Sequence, residues 1–186
     1  MNFKEILQQI EAKQQESFCP LPEFLNSIAI LPRKRRGLYW LWTRLEFQDI
    51  ANAWVDPPQD AVKSRQVPFK KLINDRIGLK NVCAVSEKCY TIVYNGIGGY
   101  TKSNMGFGLR ERILQEINCN DYRTGTLNIS KWFKPEDWAV SFFDFDAPEN
   151  HEIIEELREE GFYTKYATDL EMLWRLEYGH PILCRH

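Results

Sequence analysis

The stretch YNGIGGYTKS, residues 94–103, decides between two kinds of fold. Its glycines, followed by Lys102 and Ser103, resemble the glycine-rich loop that binds phosphate in nucleotide-binding proteins. That motif needs a glycine directly before the lysine, where this chain has Thr101, because the glycine lets backbone N–H groups turn onto the phosphate. It also needs a helix directly after the loop, whereas glycines continue here as far as Gly108. The stretch therefore favours the end of a strand over a phosphate loop.

Runs of aromatic and β-branched residues predict the strands of the chain. They are GLYWLWT (37–43), VCAVS (82–86), CYTIVYN (89–95) and WAVSFFDF (138–145). A phosphate-loop fold stacks several parallel strands after its loop, each reached by a crossover of about a dozen residues or more. Only the last of these runs follows the loop, so the pattern predicts a small sheet of another kind.

Helices are predicted where apolar residues recur at helical spacing or a run ends in a capping glycine. They cover residues 3–16, 22–30, 69–78, 109–117, 151–161 and 169–179. The pattern between about 46 and 80 is otherwise weak and indicates an insertion. Strands and helices in this order predict an α+β fold.

Composition narrows the class of protein further. The 186 residues, 44% hydrophobic and 27% charged, predict one folded domain. A net charge of −2 means that any site for nucleic acid must be a local patch. Five widely spaced cysteines without a CxxC pair, and only three histidines, argue against a zinc site or a disulfide framework.

The charged N-terminal stretch is not a signal peptide, and no apolar run is long enough to span a membrane. We therefore expect a soluble, intracellular protein of the cytoplasm with no membrane contact.

Five short motifs occur along the chain in the order GLYWLW, VYNGIG, GLRERI, LEMLW and GHPIL. Their order and element types resemble those of the GIY-YIG nuclease superfamily. The resemblance implies a small antiparallel β-sheet flanked by helices, in which the strands at 37–43 and 89–95 pair and bring two tyrosines to one face. It implies a nuclease domain at 37–186, with an N-terminal helical segment at 1–36 packed on it and the insertion at about 46–80 between the two tyrosine motifs.

The same resemblance implies four catalytic residues in a metal-dependent endonuclease. Tyr39 would deprotonate or orient the attacking water, and Tyr94 would position the water or the phosphate. Arg112 would stabilise the charged phosphoryl group through its planar fork of donors. Glu171 would bind a single Mg²⁺ or Mn²⁺ ion, the hard cations that carboxylates suit. A phenol with an ordinary pKa near 10 is a poor base, so Tyr39 would need the metal and Arg112 to lower its pKa.

Two of these assignments have competitors on the same helix. Arg110 projects into the apolar arc of its helix while Arg112 lies on the flank, and only the motif spacing favours Arg112. An arginine on the flank contributes little packing, so its removal is expected to leave folding nearly intact. Glu177 lies on the apolar stripe of the last helix and competes with Glu171 in the same way.

The expected partner is nucleic acid, with DNA as the usual substrate of the family. The candidate contacts to the phosphate backbone are Arg33, Lys34, Arg35 and Arg36 in the run PRKRR, with Lys102 and Arg110. A solvated basic turn explains that run equally well. The glycines at 96, 98 and 99 are consistent with turns that need positive φ. A non-catalytic binding module on the same fold is the alternative function, and the choice between DNA and RNA and the oligomeric state stay open.

Overall fold

The computed structural model describes residues 2–53, 67–99, 107–119, 125–161 and 168–185. Its strands are β1 (Cys19–Pro20), β2 (Gly37–Thr43), β3 (Ser86–Glu87), β4 (Tyr90–Gly98) and β5 (Trp138–Asp144). They form one sheet in the order β1-β5-β2-β4-β3, and neighbouring strands run antiparallel. The α+β class predicted from the sequence is confirmed. An antiparallel sheet does not provide the parallel strands on which the phosphate-loop fold depends.

The helices cover both faces of this sheet. They are α1 (Phe3–Glu16), α2 (Leu21–Asn26), α3 (Phe47–Ala53), α4 (Phe69–Arg76), α5 (Leu109–Asn118), α6 (Ile129–Trp132), α7 (His151–Glu159) and α8 (Thr168–Tyr178), with 3-10 turns at Ile28–Ile30, Pro135–Asp137 and Pro148–Asn150. Within the described ranges, no helix combines the length and apolar character needed to cross a membrane.

Strand β2 lies at the centre of the sheet, between β5 and β4, and all seven of its residues are buried. Its side chains alternate between two cores. Leu38, Trp40 and Trp42 join the core that contains α1, α7 and α8, whereas Tyr39 and Leu41 join the core beneath α2 to α6. Because both faces are covered, the strand reads as an unbroken apolar run.

Strand β4 carries one extra residue opposite β2. Leu41 pairs with Tyr94 and Trp42 pairs with Ile92, so Val93 forms a β-bulge between them. Such an insertion shifts the alternation of side chains by one position. Ile92 therefore faces the core of α1, α7 and α8, while Tyr94 two residues later faces the opposite core with Tyr39. The carbonyl of Val93 is satisfied by the N–H of Leu183 at 2.9 Å.

Helix α1 places Ile6, Leu7 and Ile10 in the core at helical spacing, and Asn2 caps its start. Its buried Glu11 accepts the indole N–H of Trp174 in α8 at 2.8 Å. This hydrogen bond gives the buried carboxylate a donor and ties α1 to α8.

Three local predictions differ from the structure. The run VCAVS is a strand only at Ser86, because the N–H of Cys83 bonds to the carbonyl of His180 at 3.0 Å and draws this segment towards the C-terminal residues. The predicted helix 22–30 ends at Asn26, since the backbone leaves the helical region at Ser27 with φ −111° and ψ 17°. Helix α3 lies inside the weakly patterned region and was not predicted, because two buried residues, Ile50 and Ala51, give too little periodicity.

The basic run at 32–36 is anchored at its C-terminal end. Asp146 accepts the backbone N–H of Arg36 at 2.8 Å and its Nε at 2.9 Å, while Nε of Arg35 lies 3.8 Å from Asp144. Burial alone would raise the pKa of Asp146, but the hydrogen bonds and charge of Arg36, with the charge of Arg35, hold it below its usual value. These two arginines therefore hold the entry to β2 in place.

Replacing Asp146 by Asn tests this anchor. The free energy of unfolding at about pH 7 is expected to fall by about 1 kcal/mol, less than the usual contribution of a charged hydrogen bond, because the pair is partly exposed. The folded pKa lies below the ordinary value of 3.8. The stabilisation is therefore present above that value and is lost as the pH falls through the folded pKa.

Urea unfolding of wild type and Asp146→Asn, followed by tryptophan fluorescence at neutral and acid pH, measures this difference. The exposed Glu149 on the same turn provides a control, and Glu149→Gln should change stability by less than about 0.5 kcal/mol. A difference between wild type and Asp146→Asn that does not shrink on acidification would contradict the assigned anchor.

Candidate active site

The two tyrosines of the sequence motifs lie side by side. Tyr39 pairs across the strands with Gly96, Leu41 pairs with Tyr94, and the ring centroids of Tyr39 and Tyr94 are 6.2 Å apart. Tyr39 is fully buried, whereas Tyr94 is half-buried. The antiparallel pairing and the shared face predicted from the sequence are both observed.

Of the three glycines after Tyr94, Gly96 and Gly98 provide space, and Gly99 has the predicted positive φ. A Cβ on Gly96 would lie 2.5 Å from the hydroxyl oxygen of Tyr39, and one on Gly98 would lie 2.4 Å from Cα of Leu109. Gly99 has the predicted positive φ, at 80°. Gly96 therefore makes room for the Tyr39 phenol, and Gly98 lets α5 approach the sheet.

Glu116 of α5 interacts with both tyrosines and was missed by the sequence analysis. Its carboxylate accepts the hydroxyl of Tyr39 at 2.9 Å, the backbone N–H of Leu127 at 2.8 Å and Nη2 of Arg112 at 3.3 Å. Tyr94, whose ring packs beside that of Tyr39, interacts electrostatically with the same carboxylate. A carboxylate has about four acceptor positions, and these three donors take three of them.

A signal for Glu116 was present in the sequence. It lies seven residues after Leu109 and three after Ile113, within the apolar stripe of α5, and four residues after Arg112. A glutamate on a buried stripe with an arginine at i−4 indicates a buried ion pair.

Burial determines the electrostatics of this group. Burial and the charge of Glu116 raise the pKa values of Tyr39 and Tyr94 well above the ordinary tyrosine value, and Arg112 opposes the rise. Burial also raises the pKa of Glu116, against the charge of Arg112 and the hydrogen bonds from Leu127 and Tyr39. The protein's own groups therefore raise the pKa of Tyr39 on balance, although Arg112 acts in the expected direction.

Arg112 is the arginine that the structure brings to the tyrosines. Its side chain is 30% exposed, and besides Glu116 it donates to Oε1 of Gln115 at 2.7 Å. Its removal would leave a fully buried carboxylate without its charge partner, which is strongly destabilising. The expectation that the chain tolerates loss of Arg112 is therefore not supported by its contacts. Arg110, two residues earlier on α5, is also partly exposed.

Glu171 approaches the same region from α8. Its Oε1 lies 2.6 Å from Nη2 of Arg175, whose Nε donates to Oδ1 of Asn95 at 2.8 Å. Burial raises the pKa of Glu171, while the charges of Arg175 and Arg112 lower it. Glu171 and Arg112 thus lie close enough to interact electrostatically.

A cavity of about 430 Å³ joins Glu171 to Tyr94. The other lining residues are Val67, Gly125, Met172, Arg175, Cys184 and Arg185. Strand β3 pairs only with Tyr90 and Thr91, so this part of β4 is bordered by the C-terminal segment, where the N–H of Asn95 meets the sulfur of Cys184 at 3.3 Å. Groups from both faces of the sheet therefore meet at this edge.

Glu177, the competitor of Glu171, lies elsewhere. Its carboxylate forms a salt bridge of 2.9 Å with Lys4 of α1 and lines a different cavity. The geometry brings Glu171, and not Glu177, to the tyrosines.

The candidate contacts to nucleic acid separate into two groups. Arg33 and Lys34 are exposed. Arg35 and Arg36 instead contact Asp144 and Asp146. Lys102 lies outside the described residues. Exposed charge on the basic run is thus concentrated at its first two basic residues.

The fit of a divalent cation rests on Glu171. Across the described ranges, no group of three His, Cys, Asp or Glu side chains is placed to hold a metal ion. A single carboxylate suits Mg²⁺, which keeps most of its waters and takes a phosphate oxygen as a further ligand. A water occupies about 30 Å³, so the 430 Å³ cavity has room for such an ion. A cation bound at this cavity would therefore have to share Glu171 with Arg175, which already pairs with it at 2.6 Å.

No protein-family model, curated protein or solved structure matches this chain. The functional assignment therefore depends on the motifs and on the geometry of the site.

Tyr39→Phe tests the dependence of the fold on the buried carboxylate. Removal of one donor from fully buried Glu116 is expected to lower the free energy of unfolding by about 1 to 3 kcal/mol. Tyr90→Phe is the matched control, since the Tyr90 hydroxyl donates only to the carbonyl of Glu136, at 3.2 Å. Its loss should be smaller, about 0.5 to 1 kcal/mol. Urea unfolding gives both values, and equal losses would show that Glu116 does not depend on Tyr39.

Proposed function

We propose that this chain is a metal-dependent endonuclease of the GIY-YIG type that hydrolyses phosphodiester bonds in nucleic acid, with DNA as its substrate. The observation that carries the proposal is the convergence of Tyr39, Tyr94, Arg112 and Glu171. These residues come from β2, β4, α5 and α8 and meet around Glu116 and the adjoining cavity. Residue types needed for phosphodiester hydrolysis thus lie together although they are distant in sequence.

Hydrolysis requires a cation on the pentavalent transition state, an oriented water and a proton acceptor. Arg112 offers a partly exposed guanidinium, already held by Gln115 and Glu116, which stabilises the developing negative charge without reorganising. Tyr94, on the cavity wall, orients the attacking water. A Mg²⁺ or Mn²⁺ ion bound at Glu171 would add positive charge on the phosphate oxygens. Tyr39, fully buried, fixes the position of Glu116 and is not the base.

Positive charge at the cavity suits a polyanion despite the net charge of −2. Arg175 and Arg185 line the cavity, and Arg112 acts electrostatically on Glu171 beside them. Clustered basic groups of this kind are the usual contacts to a phosphate backbone. Arg33 and Lys34 are the exposed groups that would extend this contact.

A second candidate function is a non-catalytic module on the same fold that binds nucleic acid or protein. Two observations favour it: Tyr39 is fully buried, and Glu171 is already paired with Arg175 at 2.6 Å. A site whose chemical groups are all engaged internally can bind phosphate through its arginines without cutting. The two functions differ in their dependence on Glu171.

Glu171→Gln separates the two functions. The purified protein is expected to cut labelled DNA with Mg²⁺ or Mn²⁺ and to stop cutting in EDTA. Glu171→Gln keeps the shape and removes the charge, so cleavage should vanish while DNA binding, measured by fluorescence anisotropy, persists. Glu177→Gln is the matched control on the same helix and should cut like wild type, because Glu177 pairs with Lys4 away from the cavity.

The binding module is the correct function if the protein binds DNA or RNA, cuts no tested structure with either metal, and behaves identically with Gln at position 171. Wild-type cleavage by Glu171→Gln would move the metal site elsewhere.

Arg112→Lys tests the arginine without stripping Glu116 of its charge partner. Lysine keeps the positive charge but loses the planar fork, so cleavage should fall by about 10²-fold or more. Arg110→Lys provides the control and should cut normally. Single-turnover cleavage with a thermal unfolding curve for each variant gives the comparison, and a selective loss in Arg110→Lys would transfer the role to Arg110.

A further inference from the structure

Glu116 is a fully buried carboxylate that phosphodiester hydrolysis by the four motif residues does not use. Its carboxylate accepts the hydroxyl of Tyr39, Nη2 of Arg112 and the N–H of Leu127, and it acts electrostatically on Tyr94. A carboxylate that accepts three hydrogen bonds is held in one orientation, and it is the natural end point for a proton released at either phenol.

The tyrosines need such an end point. Burial and the negative charge of Glu116 raise both phenol pKa values well above the ordinary range, so a phenolate is not populated near neutral pH. A neutral phenol can still accept a proton on its oxygen if it gives up its own proton at the same time.

Exposure distinguishes the two tyrosines. Tyr39 is fully buried, and its hydroxyl donates to Glu116 at 2.9 Å. Tyr94 is half-buried, lines the cavity beside Glu171 and packs against Tyr39 next to Glu116. Only Tyr94 therefore connects the carboxylate to the space where a water and a phosphate fit.

We propose that Glu116 is a positioning residue that accepts, through Tyr94, the proton of the attacking water. This inference rests on the proposed nuclease function. The water transfers one proton to the Tyr94 oxygen while the original phenol proton moves to Glu116, so Tyr94 stays neutral. The water oxygen forms a bond to phosphorus. The bond from phosphorus to the leaving oxygen breaks, and its electron pair stays on that oxygen, which takes a proton from solvent. Glu116 then returns its proton to solvent through Tyr94.

The relay predicts a specific pH dependence. Glu116 must be ionised to accept a proton, so the rate should rise with pH, up to tenfold per unit, and level off above the pKa of Glu116. Because burial raises that pKa, the rise should extend above the ordinary carboxyl range. Arg112 and Glu171, the charged groups on either side of Tyr94, influence the same profile.

Single-turnover cleavage of labelled DNA in Mg²⁺ across about pH 5 to 9 tests the relay. Glu116→Gln should cut about 10² to 10⁴ times more slowly and lose the acid limb of the profile. Tyr94→Phe should cause a similar loss, and the double variant should be no slower than either single variant, because both break one relay. DNA binding by anisotropy should be unchanged in all three.

Glu116→Asp covers the case in which Glu116→Gln does not fold. It keeps a carboxylate of lower intrinsic pKa, so the acid limb should persist and move to lower pH. A Glu116→Gln variant that is slower but keeps the wild-type acid limb overturns the relay and assigns the limb to another group. An acid limb that does not move in Glu116→Asp does the same.

The relay and the nuclease proposal fail in different ways. Wild-type protein that cuts no DNA removes both. Wild-type protein that cuts, with Glu171→Gln inactive and the acid limb unchanged in Glu116→Gln, keeps the nuclease and removes only the relay.

Discussion

One extra residue in β4 determines which side chains meet in this protein. Without the bulge at Val93, strict alternation would send Tyr94 to the same face as Tyr90 and Ile92, away from Tyr39. With it, Tyr94 and Gly96 face Tyr39, whose hydroxyl donates to Glu116, and Tyr94 interacts electrostatically with the same carboxylate. The bulge is held from outside by Leu183, whose N–H bonds to the Val93 carbonyl. A backbone contact from the C-terminal segment thus supports the whole polar group.

The sequence predicted those parts of the fold that local pattern determines. The run GLYWLWT is apolar throughout because β2 is buried on both faces, and α5 was visible from its stripe of Leu109, Ile113 and Ile117. The pairing of the two strands that carry Tyr39 and Tyr94 was predicted from the order of the motifs. The bulge was not predictable, since the contact that the Val93 carbonyl makes comes from Leu183, far away in the chain.

The candidate site was predictable in its members more than in their roles. Motif spacing named Tyr39, Tyr94, Arg112 and Glu171, but burial of Tyr39 and the pairing of Arg112 with Glu116 depend on how α5 packs on the sheet. The glycine at 96 shows the same limit. The glycine-rich stretch around it indicated a turn, whereas Gly96 leaves space for the phenol of Tyr39 on the neighbouring strand. A role that depends on contact between distant elements has no local signature.

The hydrogen bond between Glu11 and Trp174 has a consequence for biosynthesis. The apolar face of α1, formed by Ile6, Leu7 and Ile10, packs in a core that also contains Leu170 and Trp174 of α8. During translation α1 leaves the ribosome long before α8, so this face must wait exposed while most of the chain is made. Contacts of such long sequence separation slow folding and prolong exposure to aggregation. The apolar face of α1 therefore stays open to other apolar surfaces until the later elements of its core have left the ribosome.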